Sequence, residues 1–155
     1  MKKHKVELSE LHVSLLINKV DLYIRLTRSQ LFKDLNLDLT GDQFRTLYIL
    51  QQEDNINQSE LAQIMLKDRP NITRLVSSLE DKGLISRKIG SENNRLSKKL
   101  FITEDGRIMV EKILPLVRKC NNEMTAGIND EQMDTIKTAL KIICNNMEKS
   151  IKLQI

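Results

Sequence analysis

Between Lys82 and Leu84 the hydrophobic period of this chain changes, and no other feature constrains its fold as much. Before that point Ile72, Leu75, Val76 and Leu79 keep the i, i+3, i+4, i+7 spacing of an amphipathic helix over 70–82. Lys82 stands in its last turn and Gly83 just past its end, a helix stop signal. Beyond it Ile85, Arg87 and Ile89, then Lys98, Leu100 and Ile102, alternate with a period of two and predict strands over 84–89 and 98–103. The polar run Gly90-Ser91-Glu92-Asn93-Asn94-Arg95 between them suits the tip of a hairpin. The 155 residues include only five glycines and two prolines, too few for an all-β chain with many turns.

The rest of the chain reads as helices with identifiable starts. Over 6–33, Leu8, Leu11, Leu15, Leu22 and Leu26 recur at helical spacings, and Leu16, Val20, Tyr23 and Ile24 widen the stripe. A stripe that broad usually has more than one surface to pack against. After a linker at 34–39, Thr40 and Gln43 have the spacing of a capping box and open a helix to about Glu53, with Phe44, Leu47, Tyr48 and Leu50 expected to be buried. Asn57 and Glu60 repeat the device ahead of a short helix carrying Leu61, Ile64, Met65 and Leu66. At Lys67-Asp68-Arg69-Pro70 the chain breaks and restarts, with Asp68 or Arg69 as cap and Pro70 in the first turn, where its missing N–H costs nothing. Thr103 caps a helix to about Thr125, with Pro115 a point for a kink, and Asn129-Asp130-Glu131-Gln132 opens the last one.

Four helices, a two-stranded hairpin and two more helices make a mainly α fold with a small β-hairpin wing: a winged helix-turn-helix. The expectation is a single domain over 1–155. Residues 36–103 would form the winged-helix lobe, and 6–33 and 104–150 would be dimerisation helices whose wide stripes need a second copy to cover them.

Net charge is +4, with a pI near 9.1, and its location matters more than its size. Lys67, Arg69, Arg74, Lys82, Arg87, Lys88, Arg95, Lys98 and Lys99 face only Asp68, Glu80, Asp81 and Glu92 in the same stretch, a net of +5. The remainder of the chain sums to −1, so the anionic partner is expected at the hairpin and the helix before it. In a helix-turn-helix that second helix enters the DNA major groove. At 100° per residue, Pro70, Arg74, Ser77 and Asp81 lie opposite its apolar stripe, flanked by Asn71, Thr73 and Ser78. Arg suits guanine, Asn suits adenine, and Ser or Thr suit phosphate or either base.

The candidate DNA contacts are therefore Arg69, Pro70, Asn71, Thr73, Arg74, Ser77 and Ser78 on this recognition helix, Arg74 first among them, and Gln58 and Ser59 on the helix before it. In the wing they are Arg87, Lys88, Asn94, Arg95, Lys98 and Lys99, with Arg95 placed to enter a narrow minor groove and Arg87, Lys88, Lys98 and Lys99 to meet phosphates. The competing reading is a winged-helix module for protein–protein interaction with no operator of its own, which has no need of the basic window.

Taken in order, these segments resemble the MarR family of bacterial transcription regulators over about residues 6–150. The carriers are Leu39-Thr40-Gly41-Asp42-Gln43-Phe44, Asn57-Gln58-Ser59-Glu60-Leu61-Ala62, Ile72-Thr73-Arg74-Leu75-Val76, Leu79-Glu80-Asp81-Lys82-Gly83-Leu84-Ile85 and Leu100-Phe101-Ile102-Thr103-Glu104-Asp105-Gly106. The resemblance implies a homodimer held by its terminal helices on double-stranded DNA at a pseudo-palindromic operator. It also implies repression relieved by a small-molecule effector or an oxidant. Two positions depart from the family pattern. Asn93 or Asn94 stands where the wing usually has an Asp before its Arg, and Arg95 lies one residue further from Thr103. A glycine that often ends the first helix of the turn motif is absent, Lys67-Asp68 standing there instead.

Other chemistry is not expected. There is no Gly-rich phosphate loop and no nucleophile elbow, so no catalytic residue is assigned and an enzyme is not expected. His4 and His12 have no Cys or carboxylate at zinc spacing, so no metal or cofactor is assigned. Cys120 and Cys144 lie among apolar helix neighbours, away from the first helix where oxidant-sensing family members keep their thiol, and are assigned to packing. The longest apolar run, Leu47-Tyr48-Ile49-Leu50, cannot span a membrane, and no apolar signal core follows the basic start, so a cytoplasmic protein with reduced thiols is expected.

Overall fold

The computed structural model describes residues 12–92 and 95–150, and the chain forms two compact units, Met1–Asp42 and Gln43–Ile155. The first unit contains α1 (Val13–Asp34). Asn36 follows in the left-handed region (φ 49°), and Leu37 N–H reaches back to Phe32 O at 2.9 Å. Asn is among the few non-glycine residues that take this conformation routinely. Phe32 is buried, whereas Val13, Leu15, Leu16, Val20, Leu22, Tyr23 and Leu26 are all exposed. Helix α2 (Gly41–Gln52) runs across the boundary between the units.

The second unit continues with β1 (Ile56–Asn57), α3 (Gln58–Met65), α4 (Arg69–Asp81), β2 (Ile85–Glu92), β3 (Arg95–Ile102), α5 (Glu104–Met124) and α6 (Asp130–Ser150). The wing is not a lone hairpin as expected: β1 joins it, giving an antiparallel sheet in the order β1-β3-β2. Ile56 pairs with Leu100 and Asn57 with Lys99, while β2 and β3 pair from Ile85–Ile102 out to Glu92–Arg95. Asn55, left-handed at φ 71°, donates its N–H to Leu100 O at 3.0 Å and turns the chain into that pairing. Two residues are too few to show a period of two, so β1 leaves no sequence signal. Both wing strands also reach further into the polar tip than their apolar alternation predicts.

The helix starts follow the capping chemistry. Asn57 Oδ1 accepts from the backbone of Ser59 (2.8 Å) and Glu60 (3.0 Å) while Glu60 Oε2 accepts from Asn57 N–H (2.6 Å), a complete capping box. Asp68 caps α4 through Asn71 N–H at 2.8 Å, Thr103 caps α5 through Gly106 N–H at 3.1 Å, and Asn129 and Gln132 cap reciprocally at the start of α6. Gln43 is buried, and its Nε2 donates to Ser78 Oγ at 2.8 Å, a link from α2 to α4 that the capping pattern does not reveal.

The core of this unit is made by Leu47 and Leu50 of α2, Leu61 of α3, Ile72, Val76 and Leu79 of α4, Leu100 of β3, and Val110 and Ile113 of α5, all essentially inaccessible. Inside it Thr46 Oγ1 donates to Met65 Sδ at 3.2 Å. Tyr48, expected in the core, is instead exposed at its margin, its ring 6.5 Å from that of Phe44. Helix α5 continues through Pro115, and α6 buries no residue.

Two backbone positions yield stability predictions. A Cβ on Gly106 would clash with the Leu84 carbonyl oxygen and lie 2.7 Å from Ile102 Cγ1. Gly106→Ala is therefore expected to cost about 1–3 kcal/mol, read as a lower urea midpoint. Leu66, between α3 and α4, takes the left-handed conformation (φ 52°) and is 65% exposed. An L residue pays about 1–2 kcal/mol for that conformation and glycine returns about 0.5–1 as chain entropy, so Leu66→Gly should raise stability by up to about 1 kcal/mol in the same assay.

Candidate nucleic-acid interface

Helix α4 owes its orientation to the two structures at its ends. At the start, Leu66 N–H reaches Gln63 O (3.2 Å) and Lys67 N–H reaches Ala62 O (3.1 Å), closing α3 tightly enough for Asp68 to begin α4 at once. At the end, Gly83 (φ 70°) bonds back to Glu80 O at 2.8 Å and Leu84 to Leu79 O at 3.0 Å, the αL helix stop that glycine favours. Ile72, Val76 and Leu79 face the core, while Pro70, Asn71, Thr73 and Arg74 are exposed away from it and Arg69 is exposed at the helix start.

The polar groups of that exposed face are tied to one another. Asp68 Oδ1 accepts from Asn71 N–H (2.8 Å) and Asp68 Oδ2 accepts from Asn71 Nδ2 (2.7 Å). Asn71 Oδ1 in turn accepts from Arg74 Nη2 at 2.9 Å, and Arg74 Nε donates to Pro70 O at 3.4 Å. Thr73 Oγ1 donates to Gln58 Oε1 at 3.3 Å, joining α4 to the start of α3, where Ser59 is also exposed.

The wing cations divide into two kinds. Arg87 turns back onto α4: Nη2 donates to Ser77 Oγ at 2.8 Å, Nε lies 3.2 Å from Glu80 Oε2, and the side chain is 21% exposed. Lys99 lies 3.8 Å from Glu60 Oε2, the carboxylate that closes the capping box of α3, and is 12% exposed. Lys88 is exposed, its Nζ 4.9 Å from the centre of the Phe101 ring, and Lys98 is exposed. Arg87 and Lys99 therefore fasten the wing to the helix-turn-helix, and Lys88 and Lys98 are presented to solvent. Ser77 and Ser78 are half-buried and hold Arg87 and Gln43, so the outer face of α4 is its N-terminal half. Asn94 lies outside the described residues, as does the side chain of Arg95, whose backbone begins β3.

Residues that sequence reasoning missed are mostly partners of these cations. Of the two cap candidates, Asp68 and Arg69, the structure uses Asp68, which also bonds the Asn71 side chain. Asp54 Oδ2 pairs with Arg107 Nη2 at 2.6 Å while its Oδ1 accepts from Ile102 N–H at 3.1 Å, anchoring the base of the wing to α5. Their separations in sequence, 53 and 48 residues, give no local signal. Among the described residues no group of three or more His, Cys, Asp or Glu could hold a metal ion, and no helix is long and apolar enough to cross a membrane. Cys120 is half-buried and Cys144 exposed.

Known proteins resemble this chain at each level. A family model described as MarR family matches residues 39–97. A Bacillus subtilis (strain 168) protein described as the uncharacterized HTH-type transcriptional regulator YybA is 34% identical over 122 residues, 76% of this chain and 77% of that protein. The fold is similar to the structure of the S. aureus MepR–DNA complex at a TM-score of 0.80 and 22% identity, covering 90% of this chain and 99% of that one. A MarR transcriptional regulator from Methanosarcina mazei Go1 is similar at 0.77 and 22%, covering 90% and 98%.

The division of wing cations predicts opposite outcomes for two like substitutions. Arg87→Ala removes the partner of half-buried Ser77 and Glu80 groups and is expected to cost about 1–3 kcal/mol of stability. Lys98→Ala is expected to stay within about 0.5 kcal/mol of the parent. Urea unfolding of both variants checks this, and equal losses would contradict the division.

Proposed function

The chain belongs to the MarR family of DNA-binding transcriptional regulators, and from that premise we propose that it is a homodimeric repressor that binds a pseudo-palindromic operator and leaves it on meeting a small-molecule effector. The observation that carries the reading is the N-terminal half of α4, an exposed and internally hydrogen-bonded polar face beside a basic wing. In this reading α4 lies in the major groove, with Arg74 as the principal base contact and Arg69 and Thr73 beside it. Gln58 and Ser59 meet the DNA backbone, as do Lys88 and Lys98, and Arg95 with Asn94 reaches the minor groove. The winged-helix lobe is residues 36–103, and α1 with the helices at 104–150 makes the dimer.

Exposed apolar faces support the dimer. Leu15, Leu16, Leu22 and Leu26 of α1, and Ile136, Leu140, Ile142 and Met147 of α6, are more than soluble chains usually leave to water. Two copies related by a two-fold axis would present two α4 helices to half-sites about one helical turn apart. For the effector, a cavity of about 300 Å³ in the first unit is lined by Arg25, Arg28, Phe32, Lys33 and Leu39 among others. That is the lower end of small-molecule site volumes; the lining sets Arg28 and Lys33 against Asp42, and Arg25 is already paired with Asp21, so the charge alone does not select an effector. The site of action is the cytoplasm, where the operator lies.

Fluorescence anisotropy with the promoter region beside the protein's own gene tests this, at two salt concentrations. A discrete site should be bound, more weakly as salt rises. Arg74→Ala should cost about 1–3 kcal/mol of specific binding, and Lys98→Ala should flatten the salt dependence by about one phosphate contact. Sedimentation velocity at micromolar concentration should give a dimer. A monomer with no preference over random DNA would replace this reading with the protein-binding module.

A further inference from the structure

The exposed face of α4 holds one side chain whose two polar ends are both occupied. Asn71 is a natural candidate for bidentate pairing with adenine, which needs its Oδ1 and Nδ2 together. Here Nδ2 donates to Asp68 Oδ2 at 2.7 Å and Oδ1 accepts from Arg74 Nη2 at 2.9 Å. Because Asp68 is acceptor-only on both oxygens, it settles which way round the Asn71 amide sits: the nitrogen must face Asp68, and the oxygen must face Arg74. The guanidinium is then held at two points, Nη2 on Asn71 and Nε on the Pro70 carbonyl. Its Nη1 edge, and the second hydrogen on Nη2, have no partner among these bonds.

The geometry points to Asp68 and Asn71 as positioning residues that aim Arg74 at one guanine of the operator, rather than as contacts that read a base themselves. This rests on the DNA-binding reading above and adds which base α4 selects and by what device. A free arginine side chain has to be ordered on binding, and an ordered one does not, so the relay strengthens the contact that depends on a fixed fork. The same relay sets a penalty. Asp68 places a negative charge at the end of the helix that enters the groove, where phosphates line the approach. Every DNA sequence meets that repulsion, and only a correctly placed guanine is rewarded by the aimed guanidinium.

Two conservative variants separate this role from capping. Asp68→Asn keeps an Oδ1 to cap α4, and Asn is as good a cap as Asp, but it sets an amide nitrogen against Asn71 Nδ2. Asn71→Ala removes the middle of the relay at an exposed helical position. The experiment takes duplexes selected from a randomised pool by the full-length dimer, each base pair then substituted in turn, with binding followed by anisotropy and folding by thermal melting.

Arg74→Ala identifies the guanine, as the position where discrimination is lost. Asp68→Asn and Asn71→Ala should each lower discrimination at that same base pair by about 5-fold and leave the other positions unchanged. Asp68→Asn should at the same time bind random duplex more tightly than the parent, since a charge facing phosphate is gone. A merely structural role would lower binding to all duplexes alike. Wild-type discrimination in both variants would overturn the proposal, and so would loss in Asn71→Ala at a different base pair, which would make Asn71 a reader. If the parent selects no sequence at all, the failure is instead that of the DNA-binding reading.

Discussion

Everything in the second unit depends on how the chain leaves α4 and enters the wing. Gly83 takes a left-handed turn, and its carbonyl accepts from Thr103 Oγ1 at 2.7 Å; the next carbonyl, that of Leu84, accepts from Thr103 N–H at 3.1 Å. Thr103 is also the cap of α5, so one residue ties together the end of α4, the base of the wing and the start of α5. Gly106 lets α5 approach the Leu84 carbonyl closely enough for this to happen. With that knot tied, the direction of β2 relative to α4 is settled, and Arg87 can reach Ser77 and Glu80 only because β2 leaves along this path.

Counting charge in the sequence picks out the helix and hairpin at 67–99 as a region but cannot apportion the work within it. Arg87 and Lys99 are indistinguishable in sequence from Lys88 and Lys98, since all four sit on strands of one basic hairpin. Register alone does not separate them, since Lys88 lies opposite Lys99 on one face and Arg87 and Lys98 share the other; what does is which helix groups each one meets, Ser77 and Glu80 for Arg87 and Glu60 for Lys99, whose strand partner Asn57 begins α3. Part of the +5 is thus spent in fastening the wing. A wing pinned by charge pairs to both helices of the turn motif is restrained to move with them as one piece.

The helices were legible because their signals are local. Asn57 with Glu60, Asp68 with Pro70, Thr103, and Asn129 with Gln132 each announce a start within four residues, and the structure uses every one of them. A fifth signal, Thr40 with Gln43, marks the start of α2 correctly, and the Gln43 amide also donates to Ser78, 35 residues away. Long-range pairings have no such signature, which is why β1, the Asp54–Arg107 pair and the inward turn of Ser77 and Ser78 were invisible. Leu66 shows the reverse case. The missing glycine was visible, but only the structure shows that the turn is made anyway, by forcing an ordinary residue into the left-handed region.

That strained turn bears on how sharply α4 is aimed. A tight exit from α3 leaves no slack residues before Asp68, so the cap, the relay through Asn71 and the fork of Arg74 all start from a fixed backbone. The helix is buried along Ile72, Val76 and Leu79, linked to α3 by Thr73 and Gln58, and held from behind by Gln43 and from the wing by Arg87. If α4 meets DNA as proposed, each of these restraints reduces the freedom that DNA would otherwise have to remove, and the gain would fall on the matched sequence alone, because backbone phosphates accept a charge from many directions and a guanine edge accepts a fork from one. In the proposed reading, rigidity in the protein would thereby be converted into discrimination between sequences rather than into affinity for DNA in general.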